Sequence, residues 1–292
     1  MSVRTKRHRK IALRGKTTAG VIEVASAVLA EAPTLSICLM VKNEEKLLPD
    51  CLESVRDIAD ELIVVDTGST DRTVEIAQSF GAIVHHHPWQ KDFSLHRNQS
   101  ISYATGDWIL QIDADERLDE QSRQRLKKFL ATVSPKTNSV MVVIRDCTKD
   151  GELRALWNFP RLYRNRVGAK YVGTVHNQVL VPGGMMYSEL TIDHFGYDLS
   201  PDAMRRKYRR TVTLLRKLHR ENPQDPFATY FLANSYCAYK RYQHAIVWGE
   251  KSLVLLRAMD KAPVHYLSVY STLITSAMQL RRYAEVKRYC KE

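Results

Sequence analysis

The sequence predicts an α/β fold: a mostly parallel sheet domain over residues 34–200, followed by an α-helical, repeat-like region over 201–292. Three observations predict it. Short apolar runs alternate with helical patterns from residue 35 to about 144, as βαβ units do. Two of these runs lead into acids, Asp66 and Asp113, at the carboxyl ends of strands, where parallel sheets bind their ligands. Beyond Pro201 the strand-like runs cease and long helical patterns replace them.

Taken in order, Leu35–Val41 is a continuous apolar run, hence a buried strand. Asn43 is expected to cap a helix through residue 55, with Glu44 and Glu45 in the first turn, where the helix dipole favours acids. Residues 62–65 form a second strand ending at Asp66. Thr67-Gly68-Ser69-Thr70 makes the turn, and Asp71 caps a helix ending at Gly81. Residues 82–86 are a third strand, 93–104 a helix, 108–112 a fourth strand running into Asp113, and 140–144 a fifth. Residues 227–256 read as a helix pair turning near Lys240-Arg241, with Leu232, Ala233, Tyr236 and Ala245 at the small and aromatic positions of a tetratricopeptide repeat. Arg241-Tyr242 recurs as Arg282-Tyr283, which points to a second pair. The sequence stops inside what should be the last helix. Either it is truncated there or another subunit covers the apolar face, as in a homodimer through the helical region.

Composition narrows the function classes. With 44% hydrophobic and 26% charged residues the chain is globular rather than disordered. No run of 18 apolar residues lacks a charge, so no integral membrane association is expected. Five cysteines (Cys38, Cys51, Cys147, Cys237, Cys290), odd in number and without a CxxC pair, argue against a disulfide framework and structural zinc, and for a cytoplasmic address. Residues 19–32 follow a basic stretch and mimic a signal peptide, but Glu23 interrupts them and Pro33 would follow the cleavage point, so 1–33 reads as a basic arm. Residues 1–16 hold seven Lys/Arg and no acid; 17–199 hold 19 against 25 acids; 200–292 hold 18 against 7. A solvated surface and an acidic partner both fit that asymmetry.

Asp113-Ala114-Asp115, followed by Glu116, stands at a strand end. Two carboxylates two residues apart there can converge on Mg²⁺ or Mn²⁺, with phosphate oxygens completing the shell. Acids at strand ends are also common as solvated turn residues, so company decides. Ahead of them run Val41-Lys42-Asn43-Glu44-Glu45, Val64-Val65-Asp66-Thr67-Gly68-Ser69-Thr70-Asp71, Asp92-Phe93-Ser94, Arg97-Asn98 and Thr105-Gly106-Asp107-Trp108. In this order the series resembles the family 2 glycosyltransferases of the GT-A (Rossmann-like) fold, and more narrowly the SunS-like peptide glycosyltransferases that carry a helical repeat domain.

The resemblance implies roles. Asp66 would contact the base or ribose of a nucleotide sugar, and Lys42, Asn43 and Glu44 would line the same pocket. Arg97 and Asn98 would support the nucleotide and its diphosphate; a guanidinium fork can bond two oxygens at once. Structurally, Arg97 could equally pair with Asp92, and Asn98 could cap a turn. Asp115, with Asp113 beside it, would hold Mn²⁺ or Mg²⁺ on the diphosphate. Ile192-Asp193-His194-Phe195-Gly196-Tyr197 resembles a later motif whose His is a recurrent third metal ligand, here His194. Tyr171 to Gln178 resembles another that usually pairs His with Glu, but Asn177 stands where the acid belongs.

That departure matters because an inverting transfer removes the acceptor's proton as the acceptor attacks, and an amide is no base. His176 is one replacement, since its ordinary pKa lies near neutrality, and Asp193 is another. A thiol acceptor, partly ionised at neutral pH, is a third account, and an impaired enzyme a fourth. His85-His86-His87, alternating across a strand end, reads as structural, and Trp89 and Trp157 as packing. Tyr236, Tyr239 and Tyr242 read as repeat core. The leading expectation is a metal-dependent, inverting transferase moving sugar from a nucleotide sugar, UDP-sugar favoured, to a peptide or protein side chain. The rivals are a transferase acting on nucleic acid, such as a modified DNA base, and a degenerate domain that only scaffolds a partner.

Overall fold

The computed structural model describes residues 32–148, 150–196, 200–260 and 267–292. The basic arm lies outside these residues except for its last two. Ala32–Glu292 is one compact unit.

The centre is an eight-stranded sheet in the order β3-β2-β1-β4-β7-β6-β10-β5. Strands β1 (Leu35–Val41), β2 (Glu61–Asp66), β3 (Ile83–His86) and β4 (Trp108–Gln111) run parallel to one another, as the alternating pattern predicts. The apolar runs of β1, β2 and β4 are covered on both faces, with Leu35, Ile37, Leu39, Val64 and Leu110 in the main core and Cys38, Ile63 and Ile109 in a second cluster, whereas β3 is an exposed edge. Gly106 fixes the entry to β4: a Cβ there would come within 2.8 Å of Ser36 Oγ and 3.0 Å of the Ser36 nitrogen.

The sheet is mostly parallel as expected, and its antiparallel departures lie in the other half. Strand β6 (Thr137–Cys147) and β7 (Leu153–Arg164) form an antiparallel hairpin, and β7 is antiparallel to β4. Strand β10 (Gly184–His194) runs parallel to β6 and antiparallel to the short β5 (Glu116–Leu118). Strands β8 (Lys170–Val172) and β9 (Gln178–Leu180) pair apart from the main sheet. The predicted fifth strand is the centre of β6. β7 escapes a sequence reading because arginines and Pro160 interrupt its apolar pattern, and Pro160 is accommodated at a register shift.

A second departure concerns Asn43. Helix α1 (Leu48–Val55) begins five residues after it. Asn43 instead adopts a left-handed backbone, φ 57°, which asparagine tolerates. Its main-chain N–H donates to Ser69 Oγ at 2.9 Å and its Oδ1 accepts from the Thr70 N–H at 2.8 Å, so it bolts the loop after β1 to the turn after β2. The N-cap of α2 (Thr73–Ser79) is Arg72 rather than the expected Asp71, which stands one residue earlier and accepts the Thr73 N–H at 3.0 Å. Asp92 caps α3 (Phe93–Ser102), and Asp119 caps α4 (Glu120–Thr132).

After Ser200, which caps α5 (Pro201–Glu221), come α6 (Pro226–Ala238), α7 (Tyr242–Arg257), α8 (Ser268–Gln279) and α9 (Tyr283–Tyr289). The recurring Arg-Tyr pair marks a recurring turn. Lys240 and Arg281 both take φ 58°, and the next N–H, of Arg241 or Arg282, donates back to Tyr236 or Ala277. Tyr236 is buried, whereas Tyr239 and Tyr242 are half-buried. Val175, from the loop between β8 and β9, joins Val212, Leu215, Leu232 and Tyr236 in one cluster, which seats the helices on the sheet. No helix among the described residues is long and apolar enough to cross a membrane.

Candidate active site

A cavity of about 550 Å³ opens at the carboxyl ends of β1, β2 and β4, within the range of small-ligand sites. Loops, the end of β10 and helices α3 and α5 build it. The loop after β1 contributes Lys42 and Glu44, the segment after β4 contributes Asp113 and Asp115, and the β8–β9 loop contributes His176 and Asn177. From α5 come Lys207 and Arg210.

Asp115 and His194 meet at its floor, with Asp115 Oδ2 3.7 Å from His194 Nε2. The other ring nitrogen of His194 lies 3.1 Å from Asp146 Oδ1. A carboxylate on Nδ1 fixes the tautomer and turns Nε2 towards Asp115, the usual support of a metal-ligating histidine. Beside them Gly196 lets both side chains come close to its backbone: a Cβ there would collide with both Asp115 Oδ2 and His194 Nε2. A carboxylate oxygen and an imidazole nitrogen brought together in the cavity lining fit a divalent cation such as Mn²⁺ or Mg²⁺. Among the described residues no set of three or more His, Cys, Asp or Glu side chains is grouped to hold a metal, so further donors would be ligand oxygens.

Asp113 is differently placed from its neighbour two residues on. Arg97 Nη2 donates to both its oxygens, at 2.7 and 2.8 Å, and Arg161 Nη2 to one at 3.2 Å. Burial opposes the charge, but the two guanidinium groups outweigh it and hold the carboxyl well below the usual range. Both Asp113 oxygens are therefore engaged by guanidinium groups, which is not so of Asp115 in the contacts described. Arg97 pairs with Asp113, not with Asp92.

Glu44 is pushed up to about 7, first by burial and then by Asp115 and Asp113, with Arg210 opposing. His176 stands at the cavity wall with φ 50° and its ring stacked on Phe231, centroids 4.2 Å apart and 9° from parallel. Protein crowding around the ring, and then Lys207, push its pKa down to about 4. Lys207 Nζ donates to the Gly196 carbonyl at 3.2 Å, which sets the ammonium close to the Asp115–His194 pair.

Four expected residues lie outside the cavity lining, the first being Asn43, which ties the loop after β1 to the turn after β2. Asp193 is turned away from the cavity: it neighbours His194 on a strand, where successive side chains face opposite ways, and Arg145 holds its carboxylate in a two-pronged pair at 2.6 and 3.0 Å. Both amide atoms of Asn98 bond the Tyr171 main chain, so it anchors β8. Asp66 is buried below the rim; it accepts the Gly68 and Ser69 N–H groups and faces His86 Nδ1 at 3.3 Å. The adjacent Thr67 lines the cavity instead. His85 stacks on Tyr103, and His87 Nε2 lies 2.9 Å from the Tyr103 hydroxyl, so the histidine triplet is not a metal cluster. Trp157 packs edge-on to His194.

Four contributors escaped the sequence. Asp146 meets His194 only because β6 and β10 pair in register. Arg161 arrives through the irregularity in β7. Lys207 and Arg210 sit among Arg205, Arg206 and Arg209, and nothing local says which of the five faces inward.

Residues 36–190 match Glycosyl transferase family 2. Over 273 residues the chain is 27% identical to the SPbeta prophage-derived glycosyltransferase SunS of Bacillus subtilis, covering 91% of this chain and 64% of that protein. Over 145 residues it is 43% identical to a TPR repeat-containing protein of Synechococcus elongatus, covering 50% of this chain and 35% of that one. The chain thus spans between about a third and two thirds of the length of these relatives. Among solved structures it is similar to Staphylococcus aureus TarS 1–349, with 12% identity, a TM-score of 0.46, and 88% of this chain and 90% of that one covered. The family match begins in β1 and ends within β10, taking in the loops that build most of the cavity, and the chain belongs to glycosyltransferase family 2.

Proposed function

We propose that the chain catalyses inverting, metal-dependent transfer of a sugar from a nucleotide-sugar donor to a side chain of a peptide or protein. The observation that carries the proposal is the meeting of Asp115 and His194 beside Gly196, in the lining of a cavity that also holds Lys207 and Arg210. Family membership supplies the reaction class and favours a UDP-sugar, and resemblance to the SunS-like enzymes favours a peptide acceptor.

Asp115 and His194 would hold Mn²⁺ or Mg²⁺, which when bound supplies counter-charge for the departing diphosphate. Lys42, Lys207 and Arg210 add fixed positive charge around the same space, so the donor is oriented before reaction. The acceptor oxygen or sulfur attacks the anomeric carbon, the bond from that carbon to the diphosphate breaks, and the acceptor's proton passes to His176. Of the two sequence candidates for base, His176 lines the cavity and Asp193 is held by Arg145. The imidazole is neutral at physiological pH, as a proton acceptor must be.

The test is mass spectrometry of candidate peptides after incubation with a panel of nucleotide sugars and Mn²⁺, with slow UDP-glucose hydrolysis as a background measure. A one-sugar mass gain, lost in EDTA and restored by Mn²⁺, is expected. No hydrolysis or transfer with any donor would favour the scaffold reading, and transfer to modified DNA alone would move the acceptor to nucleic acid.

A further inference from the structure

Arg161 has no part in the chemistry above, yet the fold delivers it to the site by an unusual route. In the β6–β7 hairpin Val140 pairs with Leu162 and Met141 with Pro160, so Arg161 is the extra residue of a bulge. Bulges beside functional sites re-aim side chains. Here the bulge breaks the in–out alternation, and Arg161, Leu162 and Tyr163 are buried in succession. The guanidinium then meets Glu116 and, at 3.2 Å, Asp113. Arg97 grips Asp113 as well, and Glu116 Oε2 accepts the Asp113 N–H at 2.9 Å. Two guanidiniums and two carboxylates therefore cross-brace the turn 113–116, whose remaining acid is Asp115.

Stability does not account for this network. Arg97 Nε, Arg97 Nη1 and Arg161 Nε are buried without a hydrogen-bond partner among the described residues. Buried ion networks are often replaceable by apolar side chains at no loss of stability, and orphaned donors make the case weaker still. What the network does achieve is a single orientation of the turn.

We propose that Arg161, acting with Arg97, is a positioning residue that locks Asp113 within the turn and thereby presents Asp115 to the cation beside His194. This rests on the metal-dependent reading above. It assigns Asp113 to the brace and Asp115 to the metal, dividing the two acids of one motif between support and ligation.

Two variants of the full chain test it. Arg161→Lys keeps the charge and removes the fork. The double variant Arg161→Met with Glu116→Gln removes one charge of each sign and retains an acceptor for the Asp113 N–H, so it guards against misfolding from an unpaired buried acid. Mn²⁺ binding is titrated by electron paramagnetic resonance with UDP present, below the melting temperature of every variant. A ten- to hundredfold weaker Mn²⁺ affinity is expected in a folded chain, the usual scale for support around a metal ligand, with donor hydrolysis partly restored at high Mn²⁺. Unchanged Mn²⁺ affinity in either folded variant overturns the positioning role and leaves the metal reading intact. A wild-type chain that binds no Mn²⁺ with UDP overturns the metal reading, and this role with it.

Discussion

Gly196 shows how much one missing side chain decides. Only hydrogen stands between its backbone and the Asp115–His194 pair, so Gly196→Ala drives a methyl group against both side chains and would displace the two groups that would hold the cation. Loss of Mn²⁺ binding is expected, with a melting temperature close to that of the wild type; calorimetric metal titration beside a thermal melt checks both. His176 makes a pH prediction. Its folded pKa of about 4 lies below the ordinary 6.5 or so. The folded chain thus binds fewer protons than the unfolded one between those values, so the stability linked to His176 is present above about 6.5 and lost as pH falls through 4. Catalysis follows the same group: kcat/KM should stay flat from pH 8 down to about 5.5 rather than break near 6.5. His176→Ala should cost on the order of a hundredfold in kcat with an unchanged melting temperature. A break near 6.5, or equal loss of stability and turnover, would remove His176 from the base position.

Among the elements, α5 links the helices to the chemistry. Lys207 and Arg210 are three residues apart and so share one face, which looks into the cavity. Arg206, outside the cavity lining, is exposed. Lys207→Ala and Arg210→Ala should each weaken UDP binding by about tenfold or more, the scale of a charge-assisted contact, and flatten its salt dependence. Arg206→Ala is the control and should leave UDP affinity unchanged. Isothermal titration at two salt concentrations reads all three, and equal behaviour of the three variants would contradict the placement of α5. The hairpin of β6 and β7 carries the complementary lesson. Its Pro160 was the one visible sign of an irregular strand, but Arg161 next to it gained its direction from a pairing shift that no local pattern encodes.

At the scale of the whole molecule the helical region is part of the site rather than an appendage. It supplies Lys207 and Arg210, stacks Phe231 on His176, and covers Val175. A chain ended after residue 200 keeps every motif acid of the sheet domain yet loses those groups and exposes that apolar contact. It should melt lower and fail to bind UDP, measured by thermal denaturation and calorimetry; full UDP affinity in the shortened chain would separate the two regions functionally. The strands β1 to β4, the turn after Asp66, the Asp113–Asp115 motif and the helical hairpins were all legible from the residues, because apolar period, capping and turn chemistry act over a few neighbouring positions. His194 was legible too, through its motif. The division of labour was not. That Asp146 supports His194, that Arg145 withdraws Asp193, that Arg161 braces Asp113, and that two of five adjacent cations face the cavity all depend on strand register, a bulge and helix docking. Those bring together residues 48 or more positions apart, as with Arg145–Asp193 and Asp146–His194. In a strand, moreover, a one-residue shift reverses the face on which every side chain lies.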